Sequence, residues 1–355
     1  MPARRVLRKQ QKNGDGDWNR DLIGQPHARL LLQGALRSGR ISHAYLFVGP
    51  SGVGRLATAR AFAQALLCAT GGDDACGVCG PCRKVAGGTH PDLRIIAPGR
   101  TDAGAERRAV AIDQVRSLKR DAAYPPYEAR WKVYIIEDTE EMRAEAANSL
   151  LKLLEEPPAN TVIILLSEST EALLPTLVSR AQLVRFGPAP AAEIARALTA
   201  LGVPASRARY LAAMAGGRVG AALEAMGAGE EPFARRAEVL ATLRAVEAGD
   251  PIVGLDAAEA VAKQRDEVER WLEIALWWFR DLVIWKIAED PNLLVNLDRQ
   301  AEVADWAGRA RADTLRRAVD AIEQAKVALR RNVNPRLILE SLFIGLGPLA
   351  GHPAR

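Results

Sequence analysis

Phe47-Val48-Gly49-Pro50-Ser51-Gly52-Val53-Gly54-Arg55-Leu56 has the glycine spacing of a phosphate-binding loop without its two reactive side chains. A working loop reads G-x-x-x-x-G-K-[ST]: backbone N–H groups cradle phosphates, the lysine reaches the terminal phosphates and the hydroxyl holds Mg²⁺. Here the last two positions are Arg55 and Leu56. Arginine keeps the positive charge, but its planar fork does not replace a compact ammonium in a tight loop, and leucine offers a metal no oxygen. Gly49, Gly52, Gly54 and Arg55 therefore form a degenerate nucleotide site at which productive ATP binding is not expected. The glycines and the helix start behind them still suit an anion.

The four cysteines, Cys68, Cys76, Cys79 and Cys82, lie in one fifteen-residue window. Cys76-Gly-Val-Cys79-Gly-Pro-Cys82 sets three thiols on glycine-rich turns, and Cys68 closes a helix-like run just upstream. That spacing suits a tetrahedral thiolate cage for Zn²⁺. A four-cysteine cage leaves no open position, so its role would be structural. Disulfides are the poorer alternative in a chain that carries no export signal, and an iron–sulfur cluster would need a redox partner site.

Glu137 and Asp138 follow an apolar run, where an ATPase built this way carries Asp for Mg²⁺ and then Glu for water. Their order is reversed here. A misplacement of about 1 Å can cost roughly 100-fold in rate. Glu137-Asp138-Thr139-Glu140-Glu141 reads equally well as an acidic helix start.

Stepping along the chain, Ala44–Val48, Trp131–Ile136 and Thr161–Leu166 are short, continuous apolar runs separated by helical patterns. Such runs are expected of a parallel sheet covered on both faces. Gly187-Pro188-Ala189-Pro190 breaks the pattern, and Gly227–Pro232 breaks it again. The periodicity beyond Ala191 is helical throughout. The expected organisation is a basic tail over 1–20, an α/β domain over 21–187 with a cysteine module at 68–82, a small helical domain over 188–229 and a larger helical domain over 230–355.

With 355 residues and 48% hydrophobic content the chain can bury several cores. Its 48 basic and 43 acidic residues give a formal charge of +5, a mixed surface that says little about partners. Met1–Trp18 has no apolar core segment, so a cytoplasmic protein is expected rather than a secreted one. Trp271–Ala288, the best membrane candidate, is interrupted by Glu273, Arg280, Asp281 and Lys286 and is excluded as a span.

Asp21-Leu-Ile-Gly-Gln25, His43-Ala-Tyr-Leu-Phe-Val-Gly-Pro50, the four cysteines, Ala147-Asn-Ser-Leu-Leu-Lys-Leu-Leu-Glu-Glu-Pro157 and Leu177-Val-Ser-Arg180 occur in one order. In that order they resemble the bacterial clamp-loader subunits of DNA polymerase III, of the AAA+ class. The likeness is strong to Phe186 and loose in the C-terminal helices; Leu-Leu-Glu-Glu-Pro-Pro is its most specific part. It implies an AAA+ α/β phosphate-loop domain, a helical lid and an all-α collar.

Within that family the hydrolysing gamma/tau subunits keep the lysine and threonine that Arg55 and Leu56 replace. Other departures agree: Gly220 stands where active members carry a γ-phosphate-sensing arginine, with Arg218 two residues away, and Ser167 replaces a strand-end threonine. Seven residues separate Cys68 from Cys76 where the family has eight. The resemblance further implies that Arg180, in Ser179-Arg180-Ala181, is an arginine finger offered to a nucleotide held by a neighbour. A delocalised, always-charged fork suits that task. The bland alternative is an ordinary surface arginine.

Trp271, Trp278 and Trp285 recur every seven residues and make an apolar seam, expected to be core. Ala310–Arg331 reads as an amphipathic helix whose basic face (Arg309, Arg311, Arg316, Arg317, Lys326, Arg330, Arg331) is expected to be solvated, with DNA contact the minor alternative. The reading is a non-hydrolysing clamp-loader subunit with structural zinc. Its partners would be gamma/tau and delta subunits and, through the complex, the sliding clamp and primed DNA. The alternatives are an active gamma/tau-like ATPase and a zinc-containing nucleic-acid-binding protein; the second lacks aromatic residues among basic ones near the cysteines.

Overall fold

The computed structural model describes residues 23–98, 112–247 and 251–346; the basic N-terminal segment lies outside them. The chain divides into two compact units, one running through Ile194 and taking in Gly217–Leu223, the other formed by Ala195–Gly216 and the chain from Glu224 onward.

The first unit is built on a five-stranded parallel sheet of order β2-β3-β4-β1-β5. Its elements are α1 (Pro26–Ser38), β1 (Ala44–Val48), α2 (Arg55–Leu67), α3 (Gly80–Gly87), β2 (Leu93–Ile96), α4 (Ile112–Ala122), β3 (Lys132–Ile136), α5 (Ala144–Glu155), β4 (Thr161–Ser167), α6 (Pro175–Val178) and β5 (Gln182–Arg185). All residues of β1, β3 and β4 are buried, as expected of strands covered on both faces. Alternation sends Tyr45 and Phe47 to one face, where Phe62 and Phe186 meet them, and Ala44, Leu46 and Val48 to the other, under Leu150, Leu154 and Leu177.

The two outer strands were not expected. β2 and β5 lie at the sheet's edges, each has a single buried position, and Arg94, Gln182 and Arg185 are exposed, so neither leaves a continuous apolar run to read.

Asp92, just before β2, is buried and accepts the backbone N–H groups of Tyr127, Glu128 and Ala129. Burial raises its pKa, and these three donors more than reverse that, leaving it below the usual carboxylate value. A lowered folded-state pKa contributes stability above the unfolded value and loses it as pH falls through the folded one. Asp92→Ala should cost roughly 1–3 kcal/mol at neutral pH by orphaning the donors. The difference from wild type, measured by urea unfolding, should shrink on acidification below about pH 4.

Helices α7 (Ala191–Ala200), α8 (Ala205–Met214) and α9 (Val219–Gly227), the segment marked off by the two sequence breaks, are shared between the units. The second unit continues with α10 (Glu231–Glu247), α11 (Pro251–Val261), α12 (Arg265–Ala288), α13 (Gln300–Arg309), α14 (Ala312–Arg330) and α15 (Pro335–Leu346). Trp271 and Trp278 are core, edge-on to Phe343 and Trp306; Trp285 is only partly buried. A seven-residue repeat drifts about 20° per heptad on a straight helix, and α12 outruns the core, leaving Ile287 exposed.

The basic helix is shorter than expected: Arg309 ends α13, and Arg311 is the N-cap of α14. Arg309 pairs with Asp305 and Glu247, and Arg316 with Asp320, as on a solvated mixed-charge face. Among the described residues no helix is long and apolar enough to cross a membrane.

Candidate functional site

Parallel strands end on one edge, so whatever follows β1, β3 and β4 gathers there. Val48 pairs with Ser167, and the Gly49 N–H donates to the Ser167 carbonyl at 3.2 Å. Glu137, directly after β3, donates its N–H to Ile96. The glycine loop, the two carboxylates and the strand-end serine thereby lie at the same edge of the sheet.

The glycines have distinct reasons. A Cβ on Gly49 would meet the Phe186 carbonyl oxygen at 2.3 Å, and Gly54, at φ 107°, is the left-handed N-cap of α2. Gly52 carries φ 79° and gives its carbonyl to the Gly220 N–H at 2.9 Å, while Arg218 packs where its Cβ would stand. Gly220 thus makes a backbone contact with the loop. Gln25 closes the other side: its amide bonds the Val53 carbonyl at 3.2 Å and exchanges hydrogen bonds with Gly187 in both directions.

Arg55, the first residue of α2, is buried. One guanidinium nitrogen lies 3.9 Å from a Glu168 carboxylate oxygen; Nη1 is buried without a hydrogen-bond partner. Burial, and then the neighbouring carboxylates Asp138 and Glu140 respectively, raise the pKa values of Glu137 and Asp138, and the charge of Arg55 works against that rise in both. The buried guanidinium thus places its charge near the carboxylates that follow β3 and β4. Leu56 packs on the sheet core, and the Ser167 hydroxyl donates to the Ser169 carbonyl at 2.8 Å. Asp138 stands before only a three-residue 3-10 turn, at φ 49° and with no side-chain cap, so an acidic helix start accounts for little of this segment.

The cysteines stand on α2's end, the following loop and α3's start. Their four sulfur atoms lie within 4.8 Å of one another. The Cys68–Cys79 and Cys76–Cys82 Sγ separations are 4.0 Å, close to the roughly 3.8 Å edge of a tetrahedron with metal–sulfur bonds near 2.3 Å. Backbone N–H groups of Cys76, Cys79 and Cys82 point at the sulfurs of Cys68, Cys76 and Cys79 at 3.4 Å. Donors from Cys79 and Val78 pull the Cys76 thiol down to about 6. Such donors stabilise thiolates, the form a metal binds. The donor set and spacing fit zinc.

Arg180 stands apart, just beyond α6. It lies across the last turn of that helix, with Nη1 donating to the Thr176 carbonyl at 3.1 Å and Nη2 pairing with Glu155 at 2.8 Å. In the sequence Glu155 figured only as part of the Leu-Leu-Glu-Glu-Pro-Pro motif, with no role, and Glu168 was not singled out; no local spacing links either to its arginine.

Residues 24–190 match the family described as DNA polymerase III, delta subunit, and residues 230–346 match its C-terminal family. Among curated proteins, the chain is 30% identical to the Bacillus subtilis DNA polymerase III subunit delta', over 91% of this chain and 96% of that protein. It is 31% identical to the Pseudomonas aeruginosa delta' subunit, over 87% and 93% respectively. It is also 30% identical to the gamma/tau subunit of Mycobacterium tuberculosis, spanning 90% of this chain and 59% of that longer protein.

Proposed function

The chain belongs to the DNA polymerase III delta-subunit family, whose relatives here are clamp-loader subunits, and from that premise we propose that it is the delta-prime-type member, a subunit that hydrolyses no ATP itself. The observation that carries this reading is Arg55. A buried guanidinium among Glu137, Asp138 and Glu168, next to Leu56, leaves no ammonium for phosphates and no hydroxyl for Mg²⁺.

In this reading Gly49, Gly52 and Gly54 hold the loop's shape and bind no ATP productively. Cys68, Cys76, Cys79 and Cys82 hold one structural Zn²⁺. Residues 188–229 serve as the lid and 230–355 as the collar that joins gamma/tau and delta subunits in a ring. The assembled loader acts on the sliding clamp and primed DNA in the cytoplasm, and Arg180 completes the nucleotide site of a neighbouring ATPase subunit. A second reading, an active gamma/tau-like ATPase, has the mycobacterial likeness in its favour.

Steady-state hydrolysis by the purified chain separates the two. No turnover above background is expected, and Arg55→Lys with Leu56→Thr should restore little, because the carboxylate order and Gly220 also depart. Turnover on the order of 1 per second by the unmodified chain would favour the ATPase.

A further inference from the structure

We propose that Glu155 is the positioning residue of the Arg180 finger; this rests on the finger reading above. Both residues stand at the ends of anchored elements, Glu155 as the last residue of α5 and Arg180 just beyond α6. α5 ends at Glu155, where Pro157 and Pro158 stop it, and Leu150, Leu153 and Leu154 fix its last turns in the core. α6 is a single turn pinned by buried Leu177. The Arg180 N–H returns to Leu177 at 3.3 Å, so the backbone beneath the finger is held.

The side chain is a different matter. Arg180 is 37% exposed and Glu155 48%, and an arginine this exposed otherwise samples many rotamers. Two contacts select one: the Thr176 carbonyl on Nη1 and the Glu155 carboxylate on Nη2. A carbonyl alone takes one nitrogen and leaves rotation about the guanidinium's long stem. The second, charged acceptor fixes the plane of the fork. A half-exposed ion pair adds little to folding stability, so its consequence lies in the direction of the guanidinium. Holding the reacting group near its productive geometry is what preserves rate.

The test uses the reconstituted loader with clamp and primed DNA, carrying Glu155→Ala, Glu155→Gln, Arg180→Ala or both alanine changes. Glu155→Ala should lower kcat at the site Arg180 serves about tenfold, inside the roughly 100-fold that a 1 Å misplacement can cost. KM for ATP and the thermal midpoint of the subunit should not move. Glu155→Gln, which keeps an acceptor, should recover most of the rate. In the Arg180→Ala background Glu155→Ala should add nothing, because both changes act on one group. If Arg180→Ala silences the site while Glu155→Ala leaves kcat within twofold or raises it, Glu155 does not position the finger. If Arg180→Ala itself has no effect, the finger reading falls first and takes this one with it.

Discussion

Arg180→Ala should silence one ATP site of an assembled clamp loader while leaving this subunit folded and incorporated. Among the described residues the half-exposed side chain bonds Glu155 and the Thr176 carbonyl, both at the surface, so its removal should open no cavity and orphan no buried donor. Its loss should therefore lie within the few tenths of a kcal/mol typical of surface changes. Arginine fingers contribute about 10³- to 10⁵-fold in related phosphoryl transfers. Clamp- and DNA-stimulated hydrolysis at the served site should fall by that order while the other sites continue. Arg180→Lys should rescue poorly, since a point charge cannot spread over the phosphate oxygens as the fork does. Loaders that hydrolyse at the unmodified rate at every site would make Arg180 a bystander.

The second large effect concerns the cysteines. One zinc per chain is expected by elemental analysis, and stripping it should loosen 68–88 without unfolding the sheet. Cys82 is fully buried, and Cys68, Ala75 and Val85 also join the core under α2, so the module leans on the core from its margin. The centre of that core, Tyr45, Phe47, Phe62 and Val162, needs no metal. Structural zinc sites bind with about 10–16 kcal/mol in isolated peptides, a large share of the roughly 1–2 kcal/mol per residue that ordering such a segment costs, so losing the metal removes much of what holds it. Amide exchange across 68–88 should then quicken by orders of magnitude on chelation, with β1, β3 and β4 unchanged. Cys79→Ser should do the same: serine can still accept the Cys82 N–H at the start of α3, but a hydroxyl is a poor partner for a soft thiolate cage. Iron in place of zinc, or no metal in a fully reduced preparation, would contradict the assignment.

What could be read beforehand was what is local or continuous. The cysteine cage is a matter of spacing within one window, and the structure brings its sulfurs together. β1, β3 and β4 announce themselves as unbroken apolar runs because both faces are covered; β2 and β5 do not, because at the edge each keeps a single fully buried position. The departures at the glycine loop, Arg55 and Leu56, were legible, but not where the guanidinium goes. Its partner Glu168 follows β4, and only the pairing of Val48 with Ser167 makes them neighbours. Arg180 and Glu155 meet for the same reason, through the packing of α6 on α5. Pairings across a sheet edge depend on topology, which a single sequence states only weakly.

The central claim is that this subunit has given up its own nucleotide chemistry. Calorimetric titration of Mg-ATP into the isolated chain tests it most directly. With Arg55 buried beside Glu168 and Leu56 on the core, no saturable heat is expected at millimolar nucleotide, and omitting Mg²⁺ should change nothing. One-to-one, magnesium-dependent binding in the micromolar range would contradict the account.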